Sequence, residues 1–230
     1  CPKVNSLSKI VKESGINFSG SLIGHILGYA WLMMITRLLT PNEFGTFILA
    51  QSVINISIIF VLFGTPKALD RFIPYYNAAG AQGKTKKLIQ NIFKTTLSLS
   101  VIVGIILFIV TDYLSNSLFN NTALSSVLKI MVLSIPLLTF IRIVSRSFIG
   151  FKELRYQVYF QQIALPILKI ALTAVIFVLG YGLLGWTWMY ILSLSGAAFL
   201  AFLFFRKKIL IPLSKIPEQS ISFRKIFSYS

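Results

Sequence analysis

The stretch "TTLSLSVIVGIILFIVT", Thr95–Thr111, carries no charge at any position. As a helix rising about 1.5 Å per residue it is about 25 Å long, most of the roughly 30 Å hydrocarbon thickness of a bilayer. A helix on a water-soluble surface needs a polar face, and this run has none wide enough. A barrel strand would be shorter and would alternate. Hydrocarbon offers a backbone no hydrogen-bond partners, so such a run must close its own bonds as a helix. The solvent that this sequence is written for is therefore partly lipid.

Composition extends that reading to the whole chain. Of 230 residues, 56% are hydrophobic and only 12% charged, with a mean hydropathy of +0.80. A soluble domain is nearer a quarter charged. Five more segments read as spanning helices: 17–35, 44–64, 127–148, 158–180 and 183–205. With 95–111 they make six. The expected fold is all-α, a polytopic bundle of six transmembrane helices over 17–205. Residues 1–16 form a cytoplasmic N-terminal segment. Residues 206–230 form a basic cytoplasmic tail, or a linker to a second lobe.

The basic residues fix the orientation. Net charge is +16, from 22 Lys and Arg against 6 Asp and Glu. Lys3, Lys9 and Lys12 precede the first span. Lys67, Arg71, Lys84, Lys86, Lys87 and Lys94 follow the second. Arg142, Arg146, Lys152 and Arg155 close the fourth, and Arg206, Lys207, Lys208, Lys215, Arg224 and Lys225 follow the sixth. The alternate loops hold only Arg37, while Lys129 and Lys169 lie within spans. Nineteen basic residues fall on one side and one on the other, so both ends are expected in the cytoplasm of a multi-pass cytoplasmic-membrane protein. The same partition accounts for the positive charge without nucleic acid.

Catalytic chemistry is not visible. The acids are Glu13, Glu43, Asp70, Asp112, Glu153 and Glu218, all near span edges or in loops, and none is spaced to work with the single histidine, His25. There is no nucleophile elbow, phosphate loop or metal-ligand cluster. One cysteine, Cys1, makes neither an intrachain disulfide nor a metal site. No enzyme, cofactor or metal is expected. The outer hairpin "TRLLTPNEFG" reads as turn and cap: Thr40 as N-cap, Pro41 at the first helical position, Glu43 closing a capping box.

Polar residues inside the spans carry the functional signal. Lys169 is the midpoint of 158–180, out of snorkelling reach of either interface, so it must face a wet cavity or a partner. Pro166, one turn earlier, is expected to kink the span. His25 sits beside a small-residue stripe, Gly20, Gly24 and Gly28, that suits helix packing. Gln51 and Asn55 share one face of the second span, which suits a water-lined wall or interhelical hydrogen bonds equally. Lys129 snorkels to the outer interface. Arg142 and Arg146 share a face at the cytoplasmic end of the fourth span, and Arg71 closes the second on the same side. These arginines are either anchors or ligands for phosphate oxygens. In "LFGTPKALDRFIPYY", Leu62–Tyr76, Gly64 and Pro66 end the second span, and Lys67 can pair with Asp70, leaving Arg71 less neutralised.

Two motifs resemble a known family. "ITRLLTPNEFGTF" contains Arg37, Leu39, Pro41, Phe44 and Gly45 in an R-x-L-x-P-x-x-[YF]-G pattern. Gly64, Arg71 and Phe72 match a G-x(6)-R-[FY] ending of the second span, ahead of a basic loop. Together these resemble the Wzx-type polysaccharide and oligosaccharide flippases of the multidrug/oligosaccharidyl-lipid/polysaccharide exporter superfamily, over Ser14 to about Phe205. The resemblance implies the N-terminal lobe of a two-lobed, alternating-access carrier. It implies export of a polyprenyl-diphosphate-linked oligosaccharide for cell-surface polysaccharide (such as O-antigen) biosynthesis. Substrate contacts are then expected from Lys169, Arg71, Arg142, Arg146, Arg37, His25 and Asn55. Implied partners are that glycan lipid, membrane lipid, glycosyltransferases or a polymerase of the same pathway, and a second lobe. The alternatives are a drug/cation antiporter of the same superfamily and a non-transporting scaffold subunit of a glycan-synthesis complex.

Overall fold

The computed structural model describes residues 2–180 and 182–214, and among them every regular element is helical. Cys1, Lys215, Glu218, Arg224 and Lys225 lie outside the described residues. Helix α1 runs Pro2–Leu38 without a break at residue 17. Helix α2 is Pro41–Val61, started by the capping box foreseen in the sequence: Glu43 N–H donates to Thr40 Oγ1 (3.4 Å) and Thr40 N–H to Glu43 Oε2 (3.0 Å).

The segment after α2, expected as a loop, is a helix, α3, Thr65–Ala78. Gly64 turns the chain at φ +70°, a conformation that costs glycine nothing. Pro66 then occupies the first turn of α3, where its missing N–H is no loss. Leu69 and Ile73 are fully buried, whereas Lys67, Arg71 and Tyr75 recur every fourth residue on the exposed face. The dense polar sequence is thus an amphipathic helix docked on the bundle. Helix α4 follows over Gln82–Tyr113 and ends in a π-helical turn, Leu114–Leu118.

The fourth span is broken. Helix α5, Thr122–Met131, and α6, Ser134–Gly150, meet at a bend of 44°. Pro136 explains it, because it has no N–H for the carbonyl of Val132 and its ring crowds that turn. The expectation of one continuous helix over 127–148 overlooked this proline. Helix α7, Leu154–Leu179, contains a π-helical stretch, Val158–Ala164, directly before Pro166. The helix thus runs on through the proline expected to kink it, with a widened turn just ahead of it. Helix α8, Leu183–Phe205, continues through the π turn Arg206–Leu210 to Ser214, so the first part of the basic tail is helical. Helices α1, α2, α4, α7 and α8 are each long and apolar enough to cross a membrane, and α5 with α6 makes the bent sixth.

The core lies along α2, α6 and α8. Phe148 packs on Phe160 and Phe205, and Phe205 on Phe93, with centroids 5.1–6.4 Å apart. Several buried hydroxyls are spent on their own helices: Thr111 donates to Leu107 O, Ser147 to Ile143 O and Thr187 to Leu183 O. Outward-facing apolar side chains such as Ile109 (72% exposed) and Val178 (83%) suit a lipid-facing surface.

The glycine stripe is a packing seam at two of its three positions. A Cβ on Gly24 would lie 2.7 Å from the backbone oxygen of Gln162, and one on Gly20 would strike Val158, whereas Gly28 has open space. Gly24→Ala is therefore expected to destabilise the chain by about 1–3 kcal/mol, the usual cost of overpacking. Gly28→Ala should be neutral or slightly stabilising. Thermal unfolding of the two variants in detergent checks this; equal midpoints would refute the seam.

Candidate functional site

Three expected arginine positions converge. At the end of α2 opposite the α1–α2 hairpin, a cavity of about 990 Å³ opens between α2, α3 and α6, lined by Lys67, Arg71, Arg142 and Arg146 with Asp70, and edged by Ile59 and Phe63. Each charged group is placed by local sequence. The i, i+4 spacing puts Arg142 and Arg146 on one face of α6 and Lys67 and Arg71 on one face of α3. Helix α3 is held on α6 by Ile73, which sits where a Cβ on Gly150 would come within 2.9 Å of it.

Four cations share the cavity with one carboxylate, a formal excess of three positive charges. Asp70 Oδ2 takes Arg146 Nη1 at 3.0 Å rather than Lys67, so the expected pairing within α3 is replaced by one between helices. Asp70 Oδ1 is buried with no hydrogen-bond partner. Arg142 Nη2 donates to Asn55 Oδ1 (3.5 Å), which joins the polar face of α2 to the cluster. The Arg71 guanidinium lies 5.9 Å from the ring of Phe72. Phe72 stacks on Tyr76, whose phenol is pushed up by burial and then by neighbouring Tyr75, and so stays neutral. Guanidinium groups grouped in this way offer forked donors to phosphate-type oxygens.

The remaining candidates lie elsewhere. Lys169 is absent from the cavity lining. Its Nζ sits 4.6 Å from the ring centroid of Trp31 and 4.9 Å from that of Tyr190, and among the described residues no carboxylate pairs with it. Its partner is an aromatic cage drawn from α1 and α8. His25 Nδ1 donates to Ser21 O (2.6 Å) in a separate groove of about 440 Å³ with Tyr29, Gln161, Gln162 and Pro166. Arg37 is exposed in the last turn of α1, on the order of 30 Å from the cavity, the length of α2. Lys129 pairs with Asp112 (2.7 Å).

Trp31 and Tyr190 were not singled out in the sequence. Each is over 90% buried, and among the aromatic positions of six apolar helices nothing marks them except that their neighbours four residues away, Ile35, Trp186 and Leu194, are core. The Asp70–Arg146 pair likewise depends on how α3 docks, which spacing within either helix does not reveal.

The charge balance yields a test. Asp70→Asn removes the one carboxylate and releases Arg146. Binding of inorganic pyrophosphate by the purified chain should tighten severalfold at low salt. The gain should shrink as ionic strength rises to about 0.5 M, where screening acts over a few ångströms. Calorimetric titration at two salt concentrations measures both.

Comparison with known proteins fits this architecture. A family model described as polysaccharide biosynthesis protein matches residues 10–230. A solved structure of a MOP superfamily transporter from Pyrococcus furiosus Vc1 (DSM3638), described as having a binding pocket whose reverse polarity suggests a different function, superposes with a TM-score of 0.65 at 19% identity. The match covers 95% of this chain and 47% of that one, so the chain spans about half the length of the solved transporter. At that identity the likeness is one of fold. No curated protein matches the sequence. With its fold of apolar helices and a family match over nearly its whole length, the chain is a multi-pass membrane protein that belongs to the polysaccharide biosynthesis protein family.

Proposed function

We propose that this chain is one lobe of a carrier that flips a polyprenyl-diphosphate-linked oligosaccharide across the cytoplasmic membrane, with both ends of the chain in the cytoplasm and a second lobe completing the pathway. The observation that carries the proposal is the cavity with an excess of cations, placed at the end of the bundle that the basic loops assign to the cytoplasm. A lipid diphosphate is an anion that must enter a low-dielectric slab, where an uncompensated charge is costly. Arg71, Arg142 and Arg146 supply the compensating charge at the cytoplasmic mouth. Ile59 and Phe63 at the cavity edge supply apolar surface for the first isoprene units, which need not leave hydrocarbon. Arg37, in the last turn of α1, would meet the head group on the outer side in this reading. Family membership supports a role in polysaccharide biosynthesis, and the fold likeness supports transport as the way that role is carried out.

The test is binding of undecaprenyl diphosphate by the purified chain in lipid nanodiscs. A hydrogen bond to a charged group contributes about 1.5–3 kcal/mol, so Arg142→Ala and Arg146→Ala should each weaken binding roughly 10- to 100-fold. The uncharged alcohol undecaprenol should bind weakly and without regard to either arginine. Equal affinity for the diphosphate and the alcohol, or arginine variants that bind like the unsubstituted chain, would end the proposal.

A further inference from the structure

Lys169 poses an energetic problem that the anion cavity does not solve. An ammonium in the middle of a membrane span costs several kcal/mol when unpaired, and a methionine would fill the same space at no electrostatic cost. Here no described carboxylate pairs with it. Its compensation comes from two ring faces, Trp31 at 4.6 Å and Tyr190 at 4.9 Å, each of which attracts a desolvated cation. Both rings are themselves fixed. Trp31 Nε1 donates to Thr173 Oγ1 (3.1 Å), one turn from Lys169 on α7. Phe47 packs edge-on against both Trp31 and Tyr190.

A cation over a ring face dictates which way that ring must turn, and for tyrosine it thereby dictates where the hydroxyl points. Tyr190 Oη receives the amide of Gln51 (Nε2, 3.3 Å). Gln51 and Asn55 are one turn apart on the same face of α2, and Asn55 Oδ1 accepts Arg142 Nη2. A ladder of contacts thus runs from Lys169 through Tyr190 to Gln51 and, one turn along the rigid backbone of α2, from Asn55 to Arg142 at the cavity. We infer that Lys169 is a positioning residue for Arg142: held in the Trp31–Tyr190 cage, it orients Tyr190 and through it the polar face of α2 that aims Arg142 into the cavity. It does not contact the anion. The functional weight of this inference rests on the anion-binding reading of that cavity, while the ladder itself can be tested without a ligand.

The experiment uses the full chain in nanodiscs and measures modification of Arg142 by phenylglyoxal, read by mass spectrometry, with exposed Arg206 as internal reference. Lys169→Met should raise the Arg142 rate at least severalfold and leave Arg206 unchanged. Lys169→Arg, which keeps a cation in the cage, should restore the original rate. Tyr190→Phe keeps the ring and loses the hydroxyl, so it should raise Arg142 modification as Lys169→Met does. In a background carrying Trp186→Phe and Trp188→Phe, the emission of Trp31 should shift in Lys169→Met and stay in place in Tyr190→Phe. An unchanged Arg142 rate in either Lys169→Met or Tyr190→Phe overturns the inference, and Tyr190→Phe decides the matter if Lys169→Met does not fold. Undecaprenyl diphosphate binding, measured on the same variants, should fall in Lys169→Met and Tyr190→Phe and recover in Lys169→Arg. Loss in Lys169→Met with none in Tyr190→Phe would mean direct anion contact and also overturns it. Failure of the unsubstituted chain to bind the lipid would remove the proposed transport role and leave the labelling result standing.

Discussion

Hydrocarbon gives a polar group nothing to bond to, and most departures from plain helix in this chain answer that constraint. Many hydroxyls inside the spans return to carbonyls of their own helix, as Thr111, Ser147 and Thr187 do. Proline removes a donor and so strands a carbonyl. The chain treats its two mid-span prolines differently. At Pro166 a π-helical stretch widens the preceding turn and the helix continues to Leu179. At Pro136 the rod breaks and bends by 44°. The same constraint acts on charge. Lys169 cannot reach water, and two aromatic faces take its place.

Two electrostatic zones result, and they are of different kinds. At the mouth, four cations face one carboxylate around an open cavity, and water can screen them until a ligand displaces it. At mid-span, one cation lies between the rings of Trp31 and Tyr190, outside both that cavity and the His25 groove. The excess of positive charge therefore sits at the cavity between α2, α3 and α6, and mid-span carries a single cation between rings. The Gln51–Asn55 face of α2 lies between them and is bonded to both.

How much of this could be read from the sequence follows from which interactions are local. Span existence was legible because runs such as Thr95–Thr111 leave hydrocarbon as the only fitting solvent. The Thr40–Glu43 capping box was legible because it closes within four residues. The pairing of Arg142 with Arg146 on one face was legible from helical period. Docking was not. Whether Asp70 chooses Lys67 or Arg146 depends on the approach of α3 to α6, and that rests on Ile73 meeting Gly150. The polar segment after α2 was misread because its charges suggested loop. Its period, with Leu69 and Ile73 buried and Lys67, Arg71 and Tyr75 exposed, was the better guide. The cage around Lys169 could be anticipated only as a partner of some sort, since aromatic residues are common on these helices and only packing selects Trp31 and Tyr190.

The break at Pro136 ties these pieces together. Helix α5 packs against α2, and its Lys129 pairs with Asp112 of α4 at that end of the bundle. If α6 continued the same axis, its far end would remain in line with α5. A bend of 44° over a helix of roughly 25 Å displaces that far end by well over a side-chain length. Arg142, Arg146 and Gly150 all lie on the displaced half. The bend thus carries Gly150 to Ile73 and Arg146 to Asp70, and it leaves room between α2 and α6 for a cavity. One missing N–H in the middle of a span, which leaves the carbonyl of Val132 to the N–H of Ile135 instead (3.0 Å), is in this way what separates the arginines from the packed core and sets them along the cavity.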